Sequence, residues 1–290
     1  MPAIVSKHRL RSSAFERKDE NRNITPKKMI YLSVEGDHTE RNYFEHLNTC
    51  MENTLVRIEV LRHKRGDGYS DPEDVIELLT EYVQVRNGEL IPDECITELL
   101  SKHTSEELQL YLDDRDKLAK DKQSRIREDL LLAGIDLDYR KYLRSIEPNT
   151  DDVFAVIIDR DCGSHSKELM ELCWEKCASY GFCCYITNPC FEFWLLLHLR
   201  DVKTDYSPEQ LIEFLENKKV SKQHTYTSKE VSELAQHSKT ISFDKFRTVY
   251  FPKINYAMLN AKKLACNYPD ILDHLGTNLP QFFEQIYLGS

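Results

Sequence analysis

Apolar residues in this chain gather in short runs of strand length, and between those runs they recur at helical spacing. MIYLSVEG (Met29 to Gly36), VRIEVLRH (Val56 to His63), VFAVIIDRD (Val153 to Asp161) and FCCYIT (from Phe182) are the strand candidates. VFAVIID is apolar at consecutive positions, so both of its faces must be covered, as in a central parallel strand. Helical signals stand between the runs. Asp37-x-x-Glu40 fits a capping box with Asp37 as N-cap, followed by Tyr43, Phe44 and Leu47. Asp71-Pro72 starts a second helix with Val75, Leu78, Leu79, Tyr82 and Val83 on its apolar face. HSKELMELCWEKCASYG reads as a helix ended by Gly181, and Pro189 as the first turn of CFEFWLLLHL. Strands alternating with helices predict an α/β fold with a mostly parallel sheet flanked by helices.

The remaining sequence divides around this core. Residues 1–28 form a basic N-terminal arm, which is a solvated tail unless it touches phosphates. A core over 29–200 is interrupted at about 88–149 by a highly charged, helix-favouring insertion. The segment EPNTDD then returns the chain to the sheet. Residues 201–290 predict a helical C-terminal region, with Ser207-Pro208-Glu209-Gln210 as a helix start.

Composition narrows the class. With 41% hydrophobic and 30% charged residues over 290 positions, the chain can bury a full core. No apolar run approaches the ~18 residues of a membrane span, and the first residues lack a secretory pattern, so a cytoplasmic protein without membrane contact is expected. Nine irregularly spaced cysteines predict reduced, core-filling thiols rather than disulfides. Cys173, Cys177, Cys183 and Cys184 match no common zinc spacing. The net charge of −10 opposes nucleic acid on average, so contact with a polyanion would be local or supplied by a basic partner.

Three of the segments run on to acidic residues where a parallel strand would stop, the last of them as FCCYITNPCFE (Phe182 to Glu192). Ligands bind outside the carboxyl ends of such strands, which would gather Glu35, Asp159, Asp161 and Glu192 at one edge. Clustered carboxylates raise one another's pKa, and a divalent cation with a preference for oxygen relieves this. In extended geometry Asp159 and Asp161 point to the same side and can share a metal. Glu35 ends its apolar run just before the permissive Gly36, with simple exposure at a strand end as the alternative. Glu192 near a helix start has an alternative explanation in the helix dipole. His198 lies on a different helical face and reads first as a satisfied core histidine. Lys64, Arg65 and Arg160 lie near the same edge as candidate phosphate contacts, with loop solvation the bland alternative for Lys64 and Arg65. No glycine-rich phosphate loop is present.

Longer motifs carry a resemblance. Glu35-Gly36 after one strand and Asp159-Arg160-Asp161 after another look like the Toprim signature. VEGDHTERNYF (Val34 to Phe44) and TNPCFEFWLLLHL (Thr187 to Leu199) resemble the EGxxTExxYF and NPCFExWLLLH motifs of the RloB, or AbiLii-like, family. TNLPQFFEQI near the end is similar to the family's C-terminus. The resemblance implies a Toprim-like sheet in which Asp159 and Asp161 bind Mg²⁺ or Mn²⁺ and Glu35 acts as general acid or base or binds a second such ion. It also implies Glu192 in the functional set and Thr39, Glu40, Asn188 and Pro189 at motif positions, with Asn188 a candidate substrate contact. The activity implied is phosphodiester cleavage of RNA, tRNA included, or of DNA, in abortive infection against phage with an AAA- or ABC-type ATPase partner. A non-catalytic binding or sensor subunit of such a complex is the alternative, and a homodimer stays open.

Overall fold

The structure, a computed structural model, describes residues 28–288 apart from 37, 52–55, 63–70, 89–90, 92, 134, 146–151 and 237–239. The basic arm up to residue 27, the Asp37 cap, Lys64, Arg65 and nearly all of EPNTDD therefore lie outside the described residues. In chain order the elements begin β1 (Lys28–Val34), α1 (Thr39–Cys50), β2 (Val56–Val60) and α2 (Pro72–Arg86). Four helices follow, α3 (Asp93–Lys102), α4 (Ser105–Asp114), α5 (Lys120–Leu132) and α6 (Leu137–Ser145). Then come β3 (Val153–Asp159), α7 (Lys167–Tyr180), β4 (Cys183–Asn188) and α8 (Phe191–Leu199). The rest comprises α9 (Val202–Asp205), α10 (Pro208–Glu216), α11 (Tyr226–Ala235), α12 (Phe243–Lys245), α13 (Ile254–Ala261), β5 (Gly276–Thr277) and α14 (Leu279–Leu288).

Two compact units result. One holds the described residues of 24–79 and 149–290, and the other those of 80–148. The smaller unit is helical among its described residues. Inside it the buried Arg140 Nε donates to Glu81 at 2.7 Å, and His103 and Lys102 both meet Asp129. Thr104 caps α4 with a reciprocal box through Glu107.

The larger unit is an α/β sheet of order β2-β1-β3-β4-β5, parallel except for β5, and consistent with a Toprim-like fold. Alternation explains both layers. Ile30, Leu32, Val34, Ala155, Ile157 and Tyr185 share one core with Tyr43, Phe44 and Leu47 of α1 and with α8. Cys184 sits on the other face and shares a thiol hydrogen bond with Cys177 of α7. Both are free and buried, which is the core-filling role expected of cysteine here. Helix α8 has no polar side. Phe191, Phe193 to Leu197 and His198 are all buried, because α1, α11 and α13 surround it.

Several local expectations change. Helix α1 starts at Thr39, with His38 at its N-cap and no side-chain cap from that residue, while the Asp37 of the expected box lies outside the described residues. Pro189 stands before the N-cap of α8, Cys190, instead of in its first turn, because Pro189 still belongs to the strand exit: its carbonyl accepts from Asp161 N–H. Helix α7 begins only at Lys167, where Ser166 accepts from Leu169 N–H as N-cap, and ends as expected at Gly181 with φ 71°. Strand β5 was not expected. It is two residues long, and Asn278 extends its pairing: the side chain accepts from Ile186 N–H at 2.7 Å and donates to the Cys184 carbonyl at 2.9 Å. This gives TNLPQFFEQI a structural purpose, the closing of the sheet edge.

Candidate active site

The chain leaves β1 toward β2 on one side, while β3 lies on the other. This reversal makes the carboxyl ends of β1 and β3 the switch point of the sheet, the place where open α/β sheets bind ligands in a crevice. Glu35 follows β1, and Asp159 is the last residue of β3. The Asp159 N–H donates to Glu35 Oε2 at 3.1 Å, so one acid is fastened to the strand that carries the other.

Burial pushes the Glu35 carboxyl up to about 8, and Glu40, Asp161 and Asp71 add to the effect against the bond from Asp159 N–H. Burial likewise drives Asp159 well above the usual carboxylate range, reinforced by Glu35, Glu40 and Glu192. The N–H of Phe191 opposes this by donating to the Asp159 carboxylate. Asp159 thereby supplies the α8 N-terminus with the side-chain acceptor that its own N-cap, Cys190, lacks. The strongest influences on these two acids are burial, other carboxylates and one backbone N–H each.

Asp161 does not continue the strand. Its φ of 24° starts a turn in which its N–H donates to the Pro189 carbonyl at 2.8 Å and its Oδ2 accepts from Ser164 Oγ at 2.9 Å. The two aspartates are therefore not arranged by extended geometry, although Asp161 still acts on Glu35. Glu192 is half-buried, acts on Asp159 and accepts a hydrogen bond from the Cys190 thiol. It is a member of the acidic group and not only a residue favoured by the helix dipole.

Two acids were missed. Glu40 is buried, and its carboxylate lies where a side chain on residue 36 would stand, so the glycine of the EG pair makes room for it. Asp71, whose carbonyl opens α2, reaches Glu35 electrostatically. Two expected substrate contacts point elsewhere. Arg160 is buried, donating through Nε to the Leu272 carbonyl at 3.0 Å and through a second nitrogen to the His165 carbonyl. Asn188 is buried and donates to the Ile271 carbonyl at 2.6 Å. His198 is the satisfied core histidine expected, between the Trp194 carbonyl at 2.9 Å and Tyr43 Oη at 3.0 Å.

Among the described residues no three His, Cys, Asp or Glu side chains are already grouped as ligands of one metal ion. The donor type nevertheless suits a hard cation. Glu35, Asp159 and Asp161 offer carboxylate oxygens, and Glu35 and Asp159 are held above the normal carboxylate range by burial first and by other carboxylates after it.

Fold and crevice define an α/β protein with an acidic group at the switch point of its sheet. Comparison with known families gives the narrower assignment. The profile of the RloB-like protein family matches residues 30–286, nearly the whole chain, and the protein belongs to that family. No curated protein and no solved structure matches it.

Proposed function

We propose that this protein is a metal-dependent nuclease of Toprim type, the effector of an anti-phage abortive-infection system that works with an ATPase partner. The supporting observation is the bond between Asp159 N–H and Glu35 at the switch point, within a group of six acids from four parts of the chain. So many carboxylates in one crevice destabilise the empty fold, and cation binding is a function that would retain them. Glu35, Asp159 and Asp161 would hold Mg²⁺ or Mn²⁺, which would neutralise charge developing on a phosphodiester oxygen. Burial holds the Glu35 carboxyl up at about 8 in the cation-free protein, and where Glu35 does not ligate the ion its Oε atoms could give or take a proton near neutral pH. Asp159 orients the α8 N-terminus through Phe191 N–H and so holds Glu192 beside the crevice.

The test is incubation of purified protein with labelled RNA, tRNA and DNA plus Mg²⁺ or Mn²⁺, alone and with the neighbouring ATPase. Cleavage is expected, and Asp159→Ala abolishes it while remaining folded by circular dichroism. The rival reading is a non-catalytic sensor subunit. No cleavage under any of these conditions, with binding to the ATPase intact, establishes that rival instead.

A further inference from the structure

The acidic crevice repels the polyanion it is proposed to cut, and Arg160 and Asn188 are turned inward. Phosphates flanking the scissile one must therefore be met elsewhere. Residues 217–229, NKKVSKQHTYTSK, contain four lysines and no acidic residue in a chain of net charge −10. Residues 217–225 fold as a tight turn between α10 and α11, with Lys219 bridged to Thr225 and the N–H groups of Val220 and Ser221 donating to the His224 carbonyl. Residues 218–223 are exposed throughout. Lys218 pairs with Glu216 at 2.7 Å and Lys229 with Glu233 at 3.8 Å. Lys219 and Lys222 have no acidic partner among the described residues.

The turn is fastened beside the crevice. Asn217, in the left-handed region at φ 41°, closes α10 and ties both ends of the turn: its Oδ1 accepts from Thr227 N–H at 3.1 Å. Its Nδ2 donates to Cys190 Sγ at 3.3 Å. Cys190 is the N-cap of α8, its thiol bonds to Glu192, and Asp159 takes the next N–H. One side-chain bond thus joins the base of the basic turn to the acidic group. By chain reach, the Cα of Lys219 lies within about 7 Å of Asn217 and that of Lys222 within about 18 Å.

We propose that the 217–225 turn is the substrate guide of this protein: Lys219 and Lys222 bind the phosphate backbone of a nucleic-acid strand and lead it past Cys190 into the crevice. The assignment rests on the nuclease reading for the crevice but is tested without turnover. Fluorescent single-stranded RNA and DNA of the same sequence, roughly long enough for one site, are titrated with full-length protein in EDTA over a salt series. The wild type is expected to bind one or both, and the tighter arm identifies the substrate sugar. Lys219→Ala/Lys222→Ala weakens binding about tenfold and lowers the slope of log K against log salt by about 1.4, about 0.7 per lost contact. Lys117→Ala/Lys120→Ala removes the same net charge from the helical unit and leaves that slope near the wild-type value. Three results overturn the proposal: no binding of either strand by the wild type, unchanged binding by the Lys219/Lys222 variant, or an equal loss in the control. Wild-type binding without cleavage when Mg²⁺ or Mn²⁺ is restored sinks the nuclease reading alone.

Discussion

Glu35 at the end of β1 accepts a hydrogen bond from the backbone N–H of Asp159 at the end of β3, at 3.1 Å. The bond partly stabilises the charge of Glu35, yet burial and neighbouring acids outweigh it and raise the carboxyl to about 8 from a reference of 4.5. The folded state therefore binds more protons than the unfolded state between these values. Stability from this group is complete below about pH 4.5 and is lost as pH rises through 8, at up to about 1.4 kcal/mol per pH unit. Glu35→Gln should flatten the cation-free curve of Tm against pH between 5 and 8 and leave the variant more stable than wild type at pH 8. A steeper curve for the variant would contradict the placement of Glu35.

The same group predicts linkage to cations. Mn²⁺ should stabilise EDTA-stripped protein at pH 8 by about 2.7 kcal/mol at roughly one hundred times Kd, read as a higher Tm. The gain should shrink at pH 5.5, where the carboxyls keep their protons. Asp159→Asn should lose it at both pH values. Equal gains in wild type and variant would move the cation away from this crevice.

The strands and the two principal acids were legible because a buried parallel strand must be apolar on both faces, so the first acid after it marks its carboxyl end. Glu40 was not, since an acid three residues after Asp37 fits a capping box equally well. Only the packing of its carboxylate against Gly36 separates the readings. Arg160 between two aspartates reads as an exposed cation. The ladder in fact runs one residue further, Arg160 N–H donating to the Thr187 carbonyl at 2.9 Å, and the side chain turns inward. Asp71 is 36 residues from Glu35 in sequence and carried only a helix-start signal. Strand β5 has two residues, too few for any period to show.

Gly276 can be tested for its part in this edge strand. A Cβ there would meet the Ala265 backbone, with the Ala265 Cα at 2.9 Å and its carbonyl closer still. The backbone cannot give as a side chain can, because Thr277 N–H donates to that same carbonyl at 2.9 Å. Gly276→Ala should cost about 1–3 kcal/mol by overpacking, read by urea denaturation. An unchanged midpoint would mean that the edge is free to shift.

His198 sets a second pH dependence of opposite sign. Its Nδ1 faces the Trp194 carbonyl and must carry the proton, so Nε2 is an acceptor and Tyr43 Oη donates to it. Burial lowers its pKa to about 3 from 6.5. Below pH 6.5 the unfolded chain takes a proton that the folded chain refuses, and stability falls toward pH 3 by about 1.4 kcal/mol per unit. His198→Gln should remove that slope between pH 6 and 4. Tyr43→Phe leaves Nε2 buried without its donor and should cost about 1–3 kcal/mol at pH 7.

Arg160 separates structure from substrate contact. Its guanidinium spans two backbone carbonyls, those of Leu272 and His165, and so ties the exit of β3 to two other segments. A lysine in its place has a point charge and cannot reproduce the fork. Arg160→Lys should lower stability by about 2–4 kcal/mol, the loss of one or two charged hydrogen bonds, measured by urea unfolding. Nucleic-acid binding at a temperature where the variant is folded should keep the wild-type salt slope, since no phosphate contact has been removed. A reduced slope with unchanged stability would instead make Arg160 a phosphate ligand that reaches outward in the complex.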